Sequence, residues 1–297
     1  MIPATFDYVR PATLEEALDV LRDAGDEAKV LSGGQSLLPL LRLRLSYPSV
    51  LVDVGRLGEL RGVRDEDDHV RIGAGTTHDE VVRSAVVNAE CPLVALATAT
   101  VADPAVRHRG TFGGSLAHAD PAGDLPAVAV ALDMELVLRS ASGERVVAAR
   151  DFFADYLETV MEPGEILTAV RVPKLGPGWG CHYEKFQRTA QAWAIVGVAA
   201  AVRVSGSGGS RRVEEARVGL TNMGSTPVRA TAVESAVPGA ELNGAAANGS
   251  GGALRDASAL AADGTSPPAD LHASPAYRAH LARVLTCRAL SAAALAV

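Results

Sequence analysis

Two segments of paired glycines, Ser32-Gly33-Gly34-Gln35-Ser36 and Thr111-Phe112-Gly113-Gly114-Ser115, constrain this chain more than any other feature. Each stands between stretches that read as regular structure, with hydroxyl or amide side chains beside the glycines. Lacking a Cβ, such residues let successive backbone N–H groups converge on an anion and form a phosphate nest. The hydroxyls of Ser36, Thr111 and Ser115 can donate to the same oxygens. Neither segment is a G-x-G-x-x-G fingerprint, and neither runs into Gly-Lys-Ser or Gly-Lys-Thr. One Gly-Gly pair is ordinarily only a turn, but two separate nests suit a diphosphate held between two subdomains.

The surroundings of the first segment predict a small β-α-β unit. Residues 13–25 read as a helix with a Thr13/Glu16 capping box, an apolar face of Leu14, Leu18 and Leu21, and Gly25 as its stop. Strands are expected at 29–31 and 50–54, with a short helix through the leucines after Ser36. A second α/β stretch follows, with a strand at 69–73, a helix from Thr77 through Val87 and another over 92–101. Residues 102–124 show no period. Beyond them a helix is expected at 125–132, a hairpin at 135–148 and a strand at 165–172. Composition shifts at Lys174-Leu-Gly-Pro-Gly-Trp-Gly. Strands at 182–187, 193–204 and 214–222 then form a meander, covered by a helix from Ser274-Pro275 to about Ala294. Residues 236–270, mostly Ala, Gly, Ser, Asn and Asp, read as a mobile loop.

Composition narrows the function. With 28 Lys plus Arg against 35 Asp plus Glu the net charge is −7, and the aromatics are only five Phe, five Tyr and two Trp. Such a chain is poorly made for gripping nucleic acid by charge and base stacking. No apolar run approaches the roughly 20 residues of a membrane span, and no signal peptide is legible, so a cytoplasmic location is expected. Cys91, Cys181 and Cys287 lie far apart, with no pair spaced for zinc or an iron–sulfur cluster. The second glycine segment continues into His118, Asp120 and Asp124. Asp124 reads either as a helix cap or as a carboxylate accepting hydrogen bonds from a polyol. His118 and Asp120 lack a third ligand and do not make a metal site.

These residues carry a resemblance. The stretches SGGQSLLPLLRLRL and TFGGSLAHADPAGDLPA resemble the two FAD-binding signatures of the medium, flavoprotein subunits of molybdenum hydroxylases of the carbon monoxide dehydrogenase and xanthine dehydrogenase type. The opening FDYVRPATLEEALDVL and the closing SPAYRAHLARVLTCRAL are similar as well. The resemblance covers nearly the whole chain except about 236–270.

What it implies is an α+β fold. Residues 1–176 would form a FAD-binding domain of the vanillyl-alcohol-oxidase (PCMH) type, with subdomains of about 1–57 and 58–176. Residues 177–297 would form a C-terminal domain of a small antiparallel sheet with helices. The loop from Leu31 through Ser32, Gly33, Gly34, Gln35 and Ser36 to Leu37 would wrap the FAD diphosphate. Thr111, Phe112, Gly113, Gly114 and Ser115 would meet it from the other side. Asp124 would hold ribityl or ribose hydroxyls, with His118 and Asp120 on the same wall. Leu167 would lie against the isoalloxazine, Lys185 near its pyrimidine side and Trp193 over the ring. The residues themselves leave a second reading for the last three: Leu167 as core, Lys185 as a solvated strand residue, Trp193 as packing beneath the C-terminal helix. Ser115 stands where the family commonly has Asn, and Phe112 where it has an aliphatic residue.

By the same resemblance the chain is an electron-transfer subunit with no catalytic side chain of its own. A large partner would carry the molybdenum cofactor, and a small partner two [2Fe–2S] clusters. NAD, a quinone or oxygen would be the external acceptor. Two rivals stay open: a stand-alone FAD-dependent oxidase or reductase, and a scaffold subunit without FAD.

Overall fold

The computed structural model describes residues 2–207, 210–242 and 252–297. The first unit contains β1 (Asp7–Val9), α1 (Leu14–Ala24), β2 (Ala28–Leu31), α2 (Leu37–Leu43) and β3 (Val50–Asp53). Its strands pair in parallel in the order β1-β3-β2. Thr13 caps α1 by accepting from the Glu16 N–H, and the Glu16 carboxylate in turn accepts from the Ala12 N–H. The face Leu14, Leu18 and Leu21 packs with Val52 and Val54 of the sheet side. The expected β-α-β unit is there, with β1 as a further strand. Its three residues are too few to show a period.

The second unit runs through β4 (Val63–Asp65), β5 (His69–Gly73), α3 (His78–Arg83), α4 (Ala85–Glu90), α5 (Pro92–Ala99), α6 (Pro104–Arg107), α7 (Phe112–His118), α8 (Asp124–Ala131), β6 (Glu135–Ser140) and β7 (Gly143–Ala148). It ends with α9 (Ala149–Phe152), β8 (Phe153–Asp155), β9 (Glu158–Thr159) and β10 (Ile166–Pro173). An antiparallel sheet of order β4-β5-β10-β6-β7 is its frame. Two expectations are corrected here. The helix read from Thr77 through Val87 breaks at Ser84, whose hydroxyl accepts from the Val87 N–H and starts a new helix. Residues 102–124, read as aperiodic, hold α6 and α7. Asp103 and Thr111 cap them, but four and seven residues give too few turns to display a helical period.

The third unit is a sheet of order β11-β12-β13-β14, from β11 (Trp179–Phe186), β12 (Val196–Ser205), β13 (Arg212–Thr221) and β14 (Val228–Arg229). Helices α10 (Thr231–Ala236), α11 (Ala253–Ser258) and α12 (Pro275–Leu295) follow. Strand β12 is buried on both faces and so reads as a near-continuous apolar run. Val198, Ala200 and Val202 face the core that holds Leu281, Leu285 and Ala289 of α12. Ala199 and Ala201 join the core of the second unit, together with Cys181 and Tyr183 of β11.

Of residues 236–270, expected as loop, positions 243–251 lie outside the described residues. The rest departs from that expectation. Leu254, Ala257 and Ala261 are buried in the same core as α12. Arg278, fully buried, donates to the Pro268 and Ile195 carbonyls and pairs with Asp270. An alanine-rich segment without long apolar side chains hides such packing from a composition argument. No helix among the described residues is long and apolar enough to cross a membrane.

Candidate cofactor site

The first glycine segment leaves β2 at its carboxyl end and enters α2. Gly34 has φ +75°, and a Cβ on Gly33 would stand 2.3 Å from the Arg109 carbonyl oxygen, so the two segments touch backbone to backbone. Ser32 Oγ and Thr111 Oγ1 share a hydrogen bond of 3.0 Å across that contact. The backbone N–H groups of Gly33, Gly34, Gln35 and Ser36 donate to no protein acceptor among the described residues. Four successive donors without a protein acceptor are thus available to an anion.

The second segment is different, and the expectation of a matching nest is corrected. Thr111 caps α7, and the donors that follow it are all used. Phe112 N–H goes to the Thr76 carbonyl, Gly113 N–H to Ala74, Gly114 N–H to Thr111 Oγ1 and Ser115 N–H to the Thr111 carbonyl. Gly113 is there for packing, since its Cβ would lie 2.3 Å from that of Ala74. Phe112 is fully buried in the core rather than turned to the site. What this segment offers a ligand is the side of α7, through Gly114, Ser115 and His118.

Three cavities share the first segment as a wall. A groove of about 350 Å³ runs past Ser32, Gly33, Gly34, Gln35, Ser36 and Leu37 to Ser115 and His118. An apolar slot of about 70 Å³ opens beside Ser32, Gly113 and Gly114, between Val54, Leu60, Met161 and Leu167. A polar cleft of about 400 Å³ lies on the other side of Gly33 and Gly34, bounded by Leu31, Thr111 and several arginines. In the groove His78 is buried, and its Nδ1 has no hydrogen-bond partner among the described residues. Burial, with Arg107 nearby, pushes its pKa down to about 4, so the ring is neutral. Burial also lowers the pKa of His118, and Asp120 opposes that shift.

Two of the expected contacts are not brought to these cavities. Lys185 Nζ donates to Asp124 Oδ2 at 2.7 Å and to the Thr100 carbonyl, and Tyr183 Oη donates to Asp124 Oδ1 at 2.7 Å. Both side chains are about 5% exposed or less. Burial raises the pKa of Asp124, while Lys185 and Tyr183 pull it down. The pair joins β11 to α8, and neither residue lines any of the cavities described. Asp120 and Trp193 line a neighbouring cleft of about 470 Å³, at the side of the groove where His118 lies 4.0 Å from Asp120. Trp193 is 54% exposed there and does not pack beneath α12. Sequence reasoning missed His78, which reads only as the first residue after the Thr77 cap. It also missed Arg56, Arg61 and Arg109, separated in the chain and gathered only by the fold.

The unpartnered donors, the orphaned imidazole nitrogen, the cations and the apolar slot fit one ligand type: a dinucleotide with a diphosphate, hydroxyls and planar rings. Residues 4–175 match the family model for the FAD binding domain in molybdopterin dehydrogenase, and residues 181–293 that for the CO dehydrogenase flavoprotein C-terminal domain. The carbon monoxide dehydrogenase medium chain of Hydrogenophaga pseudoflava is 38% identical, over 99% of this chain and 98% of that one. The glyceraldehyde dehydrogenase medium chain of Sulfolobus acidocaldarius is 36% identical, over 97% and 98%. Among solved structures, a chain of Cu,Mo-CO dehydrogenase in its cyanide-inactivated form superposes with a TM-score of 0.92 at 36% identity, over all of both chains. A chain of quinoline 2-oxidoreductase from Pseudomonas putida gives 0.90 at 34%, over 99% of each.

Fold and site thus define a flavoprotein subunit of an oxidoreductase. The chain belongs to the FAD-binding medium-subunit family of the molybdenum hydroxylases.

Proposed function

We propose that the chain carries electrons between a partner's [2Fe–2S] clusters and an external acceptor, NAD, a quinone or oxygen. A large partner subunit would hold the molybdenum cofactor and transform the substrate. We read 1–176 as the FAD-binding domain and 177–297 as the C-terminal domain. Bound FAD supplies the redox chemistry, accepting single electrons and releasing them in pairs. The chain's own residues bind, orient and exclude water. The free N–H groups of Gly33 to Ser36 would hold the diphosphate, with the hydroxyls of Ser32, Thr111 and Ser115 beside it. His78 Nδ1 would bond a ligand hydroxyl, and Leu167 would pack against a planar ring. The observation that carries this reading is the run of unengaged donors on Gly33 to Ser36. No catalytic side chain is needed for it.

Rapid mixing tests the direction of electron flow. Purified FAD-loaded chain should bleach in its visible flavin bands when mixed with a reduced iron–sulfur subunit of its complex, and not with simple alcohols. Bleaching by an alcohol or enol with the isolated chain would favour the stand-alone oxidase instead.

A further inference from the structure

The outer surface of the stretch that follows the first glycine segment has no role in the account so far. Leu43, Leu45 and Tyr47, at the end of α2 and just beyond it, are each more than half exposed. Ile2, 82% exposed, is tied beside them, because Arg44 Nε donates to its carbonyl at 3.3 Å. Single exposed apolar residues are ordinary, but four gathered in one place mark a surface made to be covered. The charges of this stretch have one sign. From Ala28 to Val52 the chain carries Lys29, Arg42 and Arg44 and no Asp or Glu, in a molecule of net charge −7. Asp7 and Glu27 meet the stretch through backbone hydrogen bonds at Ser49, past the apolar run. A partner that covers such a patch presents an apolar face with carboxylates on its rim. A second copy of this chain is a poor match, since a two-fold contact would bring Arg42 and Arg44 up to their own copies.

The place of the patch in the fold points to which partner covers it. Leu37, Leu40 and Ser46 of the same stretch line the groove of the candidate cofactor site. Ser46 stands between Leu45 and Tyr47 in the chain, so the patch adjoins the rim of that groove. Electron transfer weakens steeply with distance, so a redox partner has to seat close to this rim. We propose that Ile2, Leu43, Leu45 and Tyr47, with Arg42 and Arg44 beside them, form the docking surface for the iron–sulfur subunit, which meets them with an apolar face rimmed by carboxylates. The proposal rests on the electron-transfer reading above and deepens it, by naming the surface across which the electrons arrive.

The FAD-loaded full chain is titrated with the iron–sulfur subunit of its complex at two salt concentrations, and is then rapidly mixed with that subunit reduced. The variants are L43D/L45D and R42E/R44E, with L271D as control because Leu271 is 99% exposed in the segment before α12. All the target side chains are exposed, so folding and flavin content are retained, and the unfolding midpoint and visible spectrum check both. Each double variant should bind the iron–sulfur subunit about ten-fold more weakly, while the control binds like the parent. Added salt should weaken the parent's binding and strengthen that of R42E/R44E, whose repulsion it screens. Flavin bleaching should slow when the reduced subunit is limiting and recover when it is saturating, which separates a docking defect from a damaged flavin site. Variants that bind and bleach like the parent overturn the docking surface and leave the electron-transfer reading intact. A parent chain that neither binds the reduced subunit nor is bleached by it overturns that reading itself. Weakened binding of the molybdenum subunit with iron–sulfur affinity unchanged, or parent dimers that L43D/L45D abolishes, assigns the patch elsewhere and overturns the proposal.

Discussion

At the scale of single residues, the chemistry turns on groups whose surroundings set their charge. His78 is neutral in the fold because burial holds its pKa at about 4, against 6.5 when exposed. A depressed folded value gives stability that is whole above pH 6.5 and lost as the pH falls toward 4, since the unfolded chain takes up the proton first. The loss should amount to about 3 kcal/mol over that window. Denaturant melts of the parent and of H78N should show this limb in the first and its absence in the second. Lys185 and Asp124 behave as a unit. Lys185→Met strands a buried carboxylate and should cost about 3–5 kcal/mol. Adding Asp124→Asn should recover much of that in a double-mutant cycle, and simple additivity would contradict the pairing. Read from the sequence, Asp124 is a helix cap or a polyol-binding carboxylate and Lys185 a flavin neighbour or a solvated strand residue, and nothing in the chain's order shows that each answers the other across 61 positions. His78 and Arg109 are illegible for a related reason, because their meaning lies in what the fold places beside them.

Among the elements, α7 shows how a glycine pair can serve packing instead of binding. Thr111 both caps this helix and bridges to Ser32. Thr111→Val should therefore cost about 1–2 kcal/mol and weaken flavin binding, while Ser32→Ala weakens flavin binding with a smaller loss of stability. Gly113→Ala drives a methyl into Ala74, with an expected cost of about 1–3 kcal/mol for overpacking. Gly114→Val places its Cβ 2.6 Å from the capping hydroxyl, so it should unseat the helix N-terminus and abolish FAD binding together. Normal flavin content in that variant would contradict the site. Elements with caps and full turns, such as α1 and α12, are legible from the sequence, as are the longer strands β5, β6, β7, β10, β11, β12 and β13, whereas the short β4, β8, β9 and β14 are not. Short helices held by a single cap, and the alanine-rich α11, are not, because their stability comes from neighbours distant in sequence.

For the whole molecule, the third unit is built onto the second through a common core, with Cys181, Tyr183, Ala199 and Ala201 packed among residues of α5 and α8. The glycine segments, the chain's opening and its closing helix were enough to identify the family, since those motifs are specific. The arginine cleft and the Asp124–Lys185 join required coordinates. The account stands or falls on the cofactor. The measurement that tests it most directly is the flavin content of the purified full chain, with the flavin released and identified. One FAD per chain, present on purification or restored by adding FAD, is the predicted result. A chain that remains colourless and takes up no FAD would contradict the central claim.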